Sequence, residues 1–160
     1  MRTPSKPSRF LAALLSMATL WIAANAASAA SPAASIPGDR LVQPADFAAQ
    51  LKDPSAPKPL MLHVGFRTMF DQAHIPGSEY AGPGNTAAGL QVLRERVSGL
   101  PKNSAIMIYC GCCPWSRCPN IAAAYEALAE LGFTSVTAMQ INDNFGTDWV
   151  DKGFPTAKGE

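Results

Sequence analysis

Four cysteines, Cys110, Cys112, Cys113 and Cys118, fall within nine consecutive positions of this 160-residue chain, and it has no others. They lie in the stretch 106–120, IMIYCGCCPWSRCPN. Thiols packed this closely cannot staple distant parts of a fold. They suit nucleophilic sulfur chemistry, thiol–disulfide exchange or the binding of a soft metal.

The flanking residues say how such a cluster would be held. Ile106, Met107, Ile108 and Tyr109 form a short apolar run that predicts a buried strand, with Cys110 at its end. Pro119 suits the first position of a helix, and Ile121, Tyr125, Leu128 and Leu131 then recur at helical spacing until Gly132 stops it. Residues 110–118 therefore read as a loop between a strand end and a helix N-terminus. Backbone N–H groups and the helix dipole converge there on any bound anion, and a thiolate is such an anion.

The first residues belong to another kind of segment. Arg2, Lys6 and Arg9 precede an uncharged apolar run over 10–24, and Ala27-Ser28-Ala29 has the A-x-A form of a cleavage signal, so residues 1–29 are expected to be a secretory signal peptide. The apolar run is near the lower limit for a membrane span, and no membrane association is expected after cleavage. Residues 30–39, with Pro32, Pro37 and Gly38, are expected to be a flexible lead-in, and 40–160 a single domain. Without Arg2, Lys6 and Arg9, ten lysines and arginines face twelve acids, a formal charge of −2 that gives no electrostatic case for nucleic acid or anionic membrane. Export predicts a periplasmic or secreted protein, where clustered rather than scattered cysteines point away from structural bridges.

Within the domain, apolar runs predict strands at 40–42, 60–64, 78–80, 105–109 and 135–139, and helical spacing predicts helices at 44–51, 86–97 and 119–131. Residues 65–72 read as a segment leading away from a strand, and the tail beyond 139 as rich in loops. Strands alternating with helices predict an α/β domain with a central, mostly parallel sheet flanked by helices on both faces. Function in such sheets collects at the carboxyl ends of the strands, where Cys110 stands.

Several of these residues carry a family likeness. His74-Ile75-Pro76-Gly77 resembles the HIPGA element of rhodanese-like domains, and about 35 residues later Tyr109-Cys110 resembles the strand ending in that family's catalytic cysteine. The helix through Leu131-Gly132-Phe133 and the terminal Trp149 with Gly153-Phe154-Pro155 are similar to the family's later elements, so the resemblance spans about 40–156. It implies a rhodanese-like fold and sulfurtransferase chemistry. A cysteine thiolate there takes the outer sulfur of a donor such as thiosulfate and passes it to a thiol or cyanide acceptor. No cofactor is implied; the partners are those small molecules or a periplasmic protein.

The chain departs from the family's pattern in three places. His63 and Gly65 stand where the D-V-R motif has Asp and Arg. Four residues separate Cys112 from Arg117, the family's usual loop, but six separate Cys110 from Arg117. The double glycine after the last strand is replaced by a segment holding Asn142, Asp143, Phe145 and Gly146.

The strand-end position favours Cys110 as nucleophile and the spacing favours Cys112; topology is weighed above the count. Cys118, beside the helix N-terminus, is a third claimant, and Cys112, Cys113 and Cys118 can serve as auxiliary or resolving thiols. Arg117 is expected to hold an anionic donor. Gly111, Trp115 and Ser116 complete the loop, with Trp115 packing it down or walling the pocket. His63 and His74, the only histidines, read as structural. No cysteine has the five-residue spacing to Arg117 that a related phosphatase loop requires. The pair Cys110 and Cys113 in a C-x-x-C arrangement leaves a dithiol redox protein open, and the cluster leaves open a module binding a soft metal such as Cu(I).

Overall fold

The computed structural model describes Met1 and residues 36–159; the rest of the expected signal peptide and residues 30–35 of the lead-in lie outside them. Five strands, β1 (Leu41–Val42), β2 (Leu60–His63), β3 (Glu79–Tyr80), β4 (Ile106–Tyr109) and β5 (Val136–Met139), form one sheet in the order β1-β5-β4-β2-β3. Every pairing is parallel. Four helices connect them: α1 (Pro44–Lys52), α2 (Arg67–Gln72), α3 (Ala87–Val97) and α4 (Pro119–Glu130). The α/β class with a central parallel sheet is therefore as the sequence predicts.

The period of two along the strands divides the core. Leu62, Val64, Ile106, Ile108, Val136 and Ala138 face Leu93 and Val97 of α3 and Ile121, Ala124 and Leu128 of α4. Met61, Met107, Tyr109 and Met139 face the other way, onto Phe47 of α1 and onto Phe145 and Trp149 from the segment after β5. Burying each of the Val, Leu, Ile, Met and Phe side chains among them contributes roughly 1.5–3 kcal/mol. Central β4 has all four residues buried, so it is the rigid post on which the cysteine loop is built.

The helix starts follow local chemistry. Thr86 caps α3, its hydroxyl accepting from the Gly89 N–H at 3.0 Å, and Pro44 and Pro119 sit in the first turns of α1 and α4. Three segments are more ordered than the sequence suggests. Residues 67–72 form α2, whose Phe70 is buried. Gly146–Val150 forms a π-helical turn that buries Trp149 completely, its indole N–H donating to the Pro155 carbonyl at 2.8 Å. The end of the lead-in, expected to be flexible, is packed: Ile36 joins the core under α3 and α4, and Gly38–Arg40 forms a 3-10 turn.

Candidate active site

The loop after β4 is tied down at both ends and in the middle. Gly111 has a φ of 89°, and a Cβ there would come within 2.7 Å of the Phe145 side chain, so only glycine fits. Its carbonyl accepts from the Phe145 N–H at 3.1 Å, and the Asn142 carbonyl accepts from the Trp115 N–H at 3.1 Å. A 3-10 turn, Trp115–Arg117, then delivers Cys118 to the start of α4. The segment after β5, where the expected double glycine is absent, thus acts as a clamp on the cysteine loop.

Inside the loop the sulfur atoms gather. The Sγ atoms of Cys110, Cys112 and Cys118 all lie within 4.8 Å of one another. Cys112 Sγ is 4.0 Å from Cys118 Sγ and 3.2 Å from Cys113 Sγ. Cys110 and Cys118 are 2% and 3% exposed, whereas Cys112 and Cys113 are half-buried. The Cys113 thiol reaches back to the Arg117 carbonyl at 3.7 Å.

One amide organises the sulfurs. Asn120, in the first turn of α4 and fully buried, places Nδ2 at 3.5 Å from both Cys110 Sγ and Cys112 Sγ. Its Oδ1 accepts from the Asn85 N–H at 3.1 Å, which fixes the amide so that its N–H groups face the thiols. Sequence reasoning passed over Asn120. The available signal was a polar residue on the buried stripe of α4, four and eight positions before Ala124 and Leu128.

Electrostatics single out Cys112. The neighbouring Cys110 and Cys118 thiols hold it well below the usual thiol range against the opposing effect of burial, and Cys113 and Asn120 add to them. Cys110 is pushed far up by the neighbouring Cys112 and Cys118 sulfurs and by burial. Burial, and then donation to Cys112, lift Cys113 to about 12. For Cys118 a hydrogen bond from Cys110 lowers the value, but the bond to Cys112, burial and the Cys112 charge together raise it. A negative charge on the cluster is thus favoured on its half-exposed member, Cys112, and disfavoured on the other three.

His63 adjoins this cluster from β2. Burial drives its pKa down to about 4, so the ring is neutral at neutral pH, and its Nδ1 accepts from the Gly65 N–H at 3.4 Å. A Cβ on residue 65 would stand 2.9 Å from both Cys110 Sγ and His63 Cε1. Glycine where the D-V-R motif has Arg is what leaves room for the Cys110 thiol. His74 is structural as predicted: its Nδ1–H donates to the Phe70 carbonyl at 2.8 Å.

The structure therefore brings together Cys110, Cys112, Cys113 and Cys118, with Gly111 as their hinge. Trp115 is half-buried and lines the crevice inside the loop with Cys110, Gly111, Cys113 and Cys118; that crevice has no room for a water-sized sphere. Ser116 and Arg117 are exposed. Arg117 takes part in the loop through its backbone, its N–H donating to the Pro114 carbonyl at 2.8 Å. A cavity of about 120 Å³ reaches Cys110 from the other side and is lined by His63, Met69, Gln72, Ala73, Phe145 and Val150 among others.

No protein-family model matches the sequence, and no curated protein matches it. Solved structures do match. The solution structure of a rhodanese-like domain from Anabaena sp. superposes with a TM-score of 0.57 at 20% identity, over 74% of this chain and 79% of that one. A crystal structure of the same Anabaena protein gives 0.56 at 20% identity, over 74% and 92%. A Bacillus halodurans protein gives 0.56 at 20% identity, over 73% and 75%. The fold of this chain is rhodanese-like.

Proposed function

Proceeding from a rhodanese-like fold whose central strand ends in a cluster of thiols, we propose that the protein is a sulfurtransferase that carries sulfane sulfur as a persulfide on Cys112. The observation that supports this most is the half-exposed Cys112 sulfur, which lies 4.0 Å from the buried Cys118 sulfur and 3.5 Å from the Asn120 amide nitrogen. A nucleophile must be both ionised and reachable: Cys112 is half-exposed with its thiol held low, whereas Cys110, at the strand end, is buried with its thiol pushed up. It is also the cysteine four residues from Arg117.

The Cys112 thiolate attacks the outer sulfur of thiosulfate; the S–S bond of the donor breaks and sulfite leaves with its electron pair. An acceptor thiolate or cyanide then attacks the terminal sulfur of the persulfide, taking it as a new persulfide or thiocyanate and returning the Cys112 thiolate. Asn120 and loop N–H groups stabilise the terminal sulfur, and the exposed Arg117 meets the anionic donor. Cys110 and Cys118 remain thiols that hold the charge on Cys112. With the leader removed, the reaction takes place in the periplasm or outside the cell, with a small thiol, cyanide or a periplasmic protein as acceptor.

Incubating the reduced protein with thiosulfate should add about 32 mass units, removable by dithiothreitol or cyanide. Peptide mapping should place that mass on Cys112, and Cys112→Ser should abolish it. A full gain of mass in Cys112→Ser, with the label on the Cys110 peptide, would return the nucleophile to the strand end.

A further inference from the structure

The three sulfurs of Cys110, Cys112 and Cys118 converge on a common point in a way that sulfur transfer by one cysteine does not require. We propose that they form a three-coordinate site for Cu(I), independent of whether the protein transfers sulfur. Three ligands around a trigonal centre with metal–sulfur bonds of about 2.3 Å stand about 4.0 Å apart. The 4.0 Å between Cys112 and Cys118, with all three atoms within 4.8 Å, matches that triangle with little movement.

Ligand type and number select the ion. An all-sulfur set favours a soft, thiophilic ion over the hard cations that take oxygen ligands. Zinc wants a fourth ligand, either protein or water. Among the described residues the convergent group stops at three. Cys113, the one remaining cysteine, has its sulfur 3.2 Å from that of Cys112 and near the Arg117 carbonyl, but it does not join the three that converge. Three soft donors, two of them almost fully buried, describe the coordination that monovalent copper accepts.

The surroundings suit bound thiolates. Asn120 donates to two of the three sulfurs and is locked in that orientation by Asn85, as an outer hydrogen-bond partner of a metal ligand must be. The N-terminus of the twelve-residue α4 adds its dipole to the same place. Two of the ligands are almost fully buried, which shields the ion from solvent and oxidant.

The test is an anaerobic titration of the reduced full chain with Cu(I) against a chromophoric Cu(I) chelator, with no sulfur donor present. The protein should withdraw one equivalent and show a new ultraviolet thiolate-to-copper absorption. Cys112→Ser and Cys118→Ser should each weaken binding by at least about 100-fold, while Cys113→Ser keeps it within a few fold. Circular dichroism of each variant separates lost ligands from lost fold. Failure to compete with the chelator, equal losses in Cys113→Ser and Cys118→Ser, or displacement of copper by equimolar Zn(II) would each overturn the site. Because Cys112 belongs to both readings, copper-loaded protein should gain no mass from thiosulfate. Persulfide formation without copper binding sinks only the metal site, and copper binding without persulfide formation sinks only the transferase.

Discussion

Tyr109 and Cys110 are neighbours in the chain but face opposite sides of the sheet, and the two sides use buried polar groups differently. On the side of Tyr109 each such group has settled its hydrogen bonds. The Tyr109 hydroxyl accepts from the Ile75 N–H at 3.1 Å and shares a proton with Ser78 at 2.7 Å, and His74 and Trp149 donate to backbone carbonyls. Around them Phe70, Phe145, Trp149 and Phe154 stack or meet edge to face. On the side of Cys110, four sulfurs are weak partners for one another, and the Asn120 amide reaches only two of them, Cys110 and Cys112. Closed hydrogen bonding fixes architecture, whereas an electron-rich cluster with few donors is left able to take up a sulfur atom or an ion.

The comparison can be broken in three ways. The largest effect should come from His63, which sits among Phe70, Tyr80 and Tyr109 yet adjoins Cys110. Its folded pKa of about 4 lies below the ordinary 6.5, so its contribution to stability is complete above pH 6.5 and is lost as pH falls to 4. Integrated over that window the loss is about 3 kcal/mol. Denaturant unfolding at pH 7 and pH 4.5 should show the protein losing more stability than its His63→Gln variant; parallel losses would mean the ring is not held neutral.

Asn120→Ala should come next. Removing a donor to charged sulfur is worth roughly 1.5–3 kcal/mol, so persulfide formation should slow about 10- to 100-fold. The ultraviolet thiolate titration should move to higher pH, a shift that a merely structural role would not produce. An unmoved titration would show that the thiols alone set the charge.

The smallest effect should be Tyr109→Phe, which leaves the Ile75 N–H and Ser78 without their partner and should cost about 1–2 kcal/mol of stability. Its rate of persulfide formation should match that of the unaltered protein. A slowing as large as that of Asn120→Ala would erase the distinction between the two faces.

The sheet was legible because β2, β4 and β5 are short apolar runs bounded by turn residues, and α3 and α4 carry their apolar stripe and a cap or a proline. α2 was not, since six residues with one buried side chain leave no period to read. The turn at Gly146–Val150 escaped for a related reason: its order comes from Trp149 entering a core built by distant segments. In the site, Cys110, Cys112, Cys113 and Cys118 announced themselves by type and spacing. Which of them carries charge did not, because burial and a donor from α4 decide it, and neither exists along the sequence. Gly65 looked like the loss of a motif and turns out to be the space beside a thiol.

The glycines at 82, 84 and 89 carry a consequence for how this chain can vary. A Cβ on Gly84 would run into the Asn120 carbonyl at 2.2 Å, and one on Gly89 into the Pro83 carbonyl at 2.1 Å. The Asn85 N–H in the same segment orients the amide that faces the sulfurs. A position some thirty residues upstream of the cysteines thus shares their fate: a side chain can be added at Gly84 only if the start of α4 moves, and moving it unseats Asn120. Variation at Gly84 is therefore tied to the placement of the start of α4, and with it to the amide that faces the sulfurs.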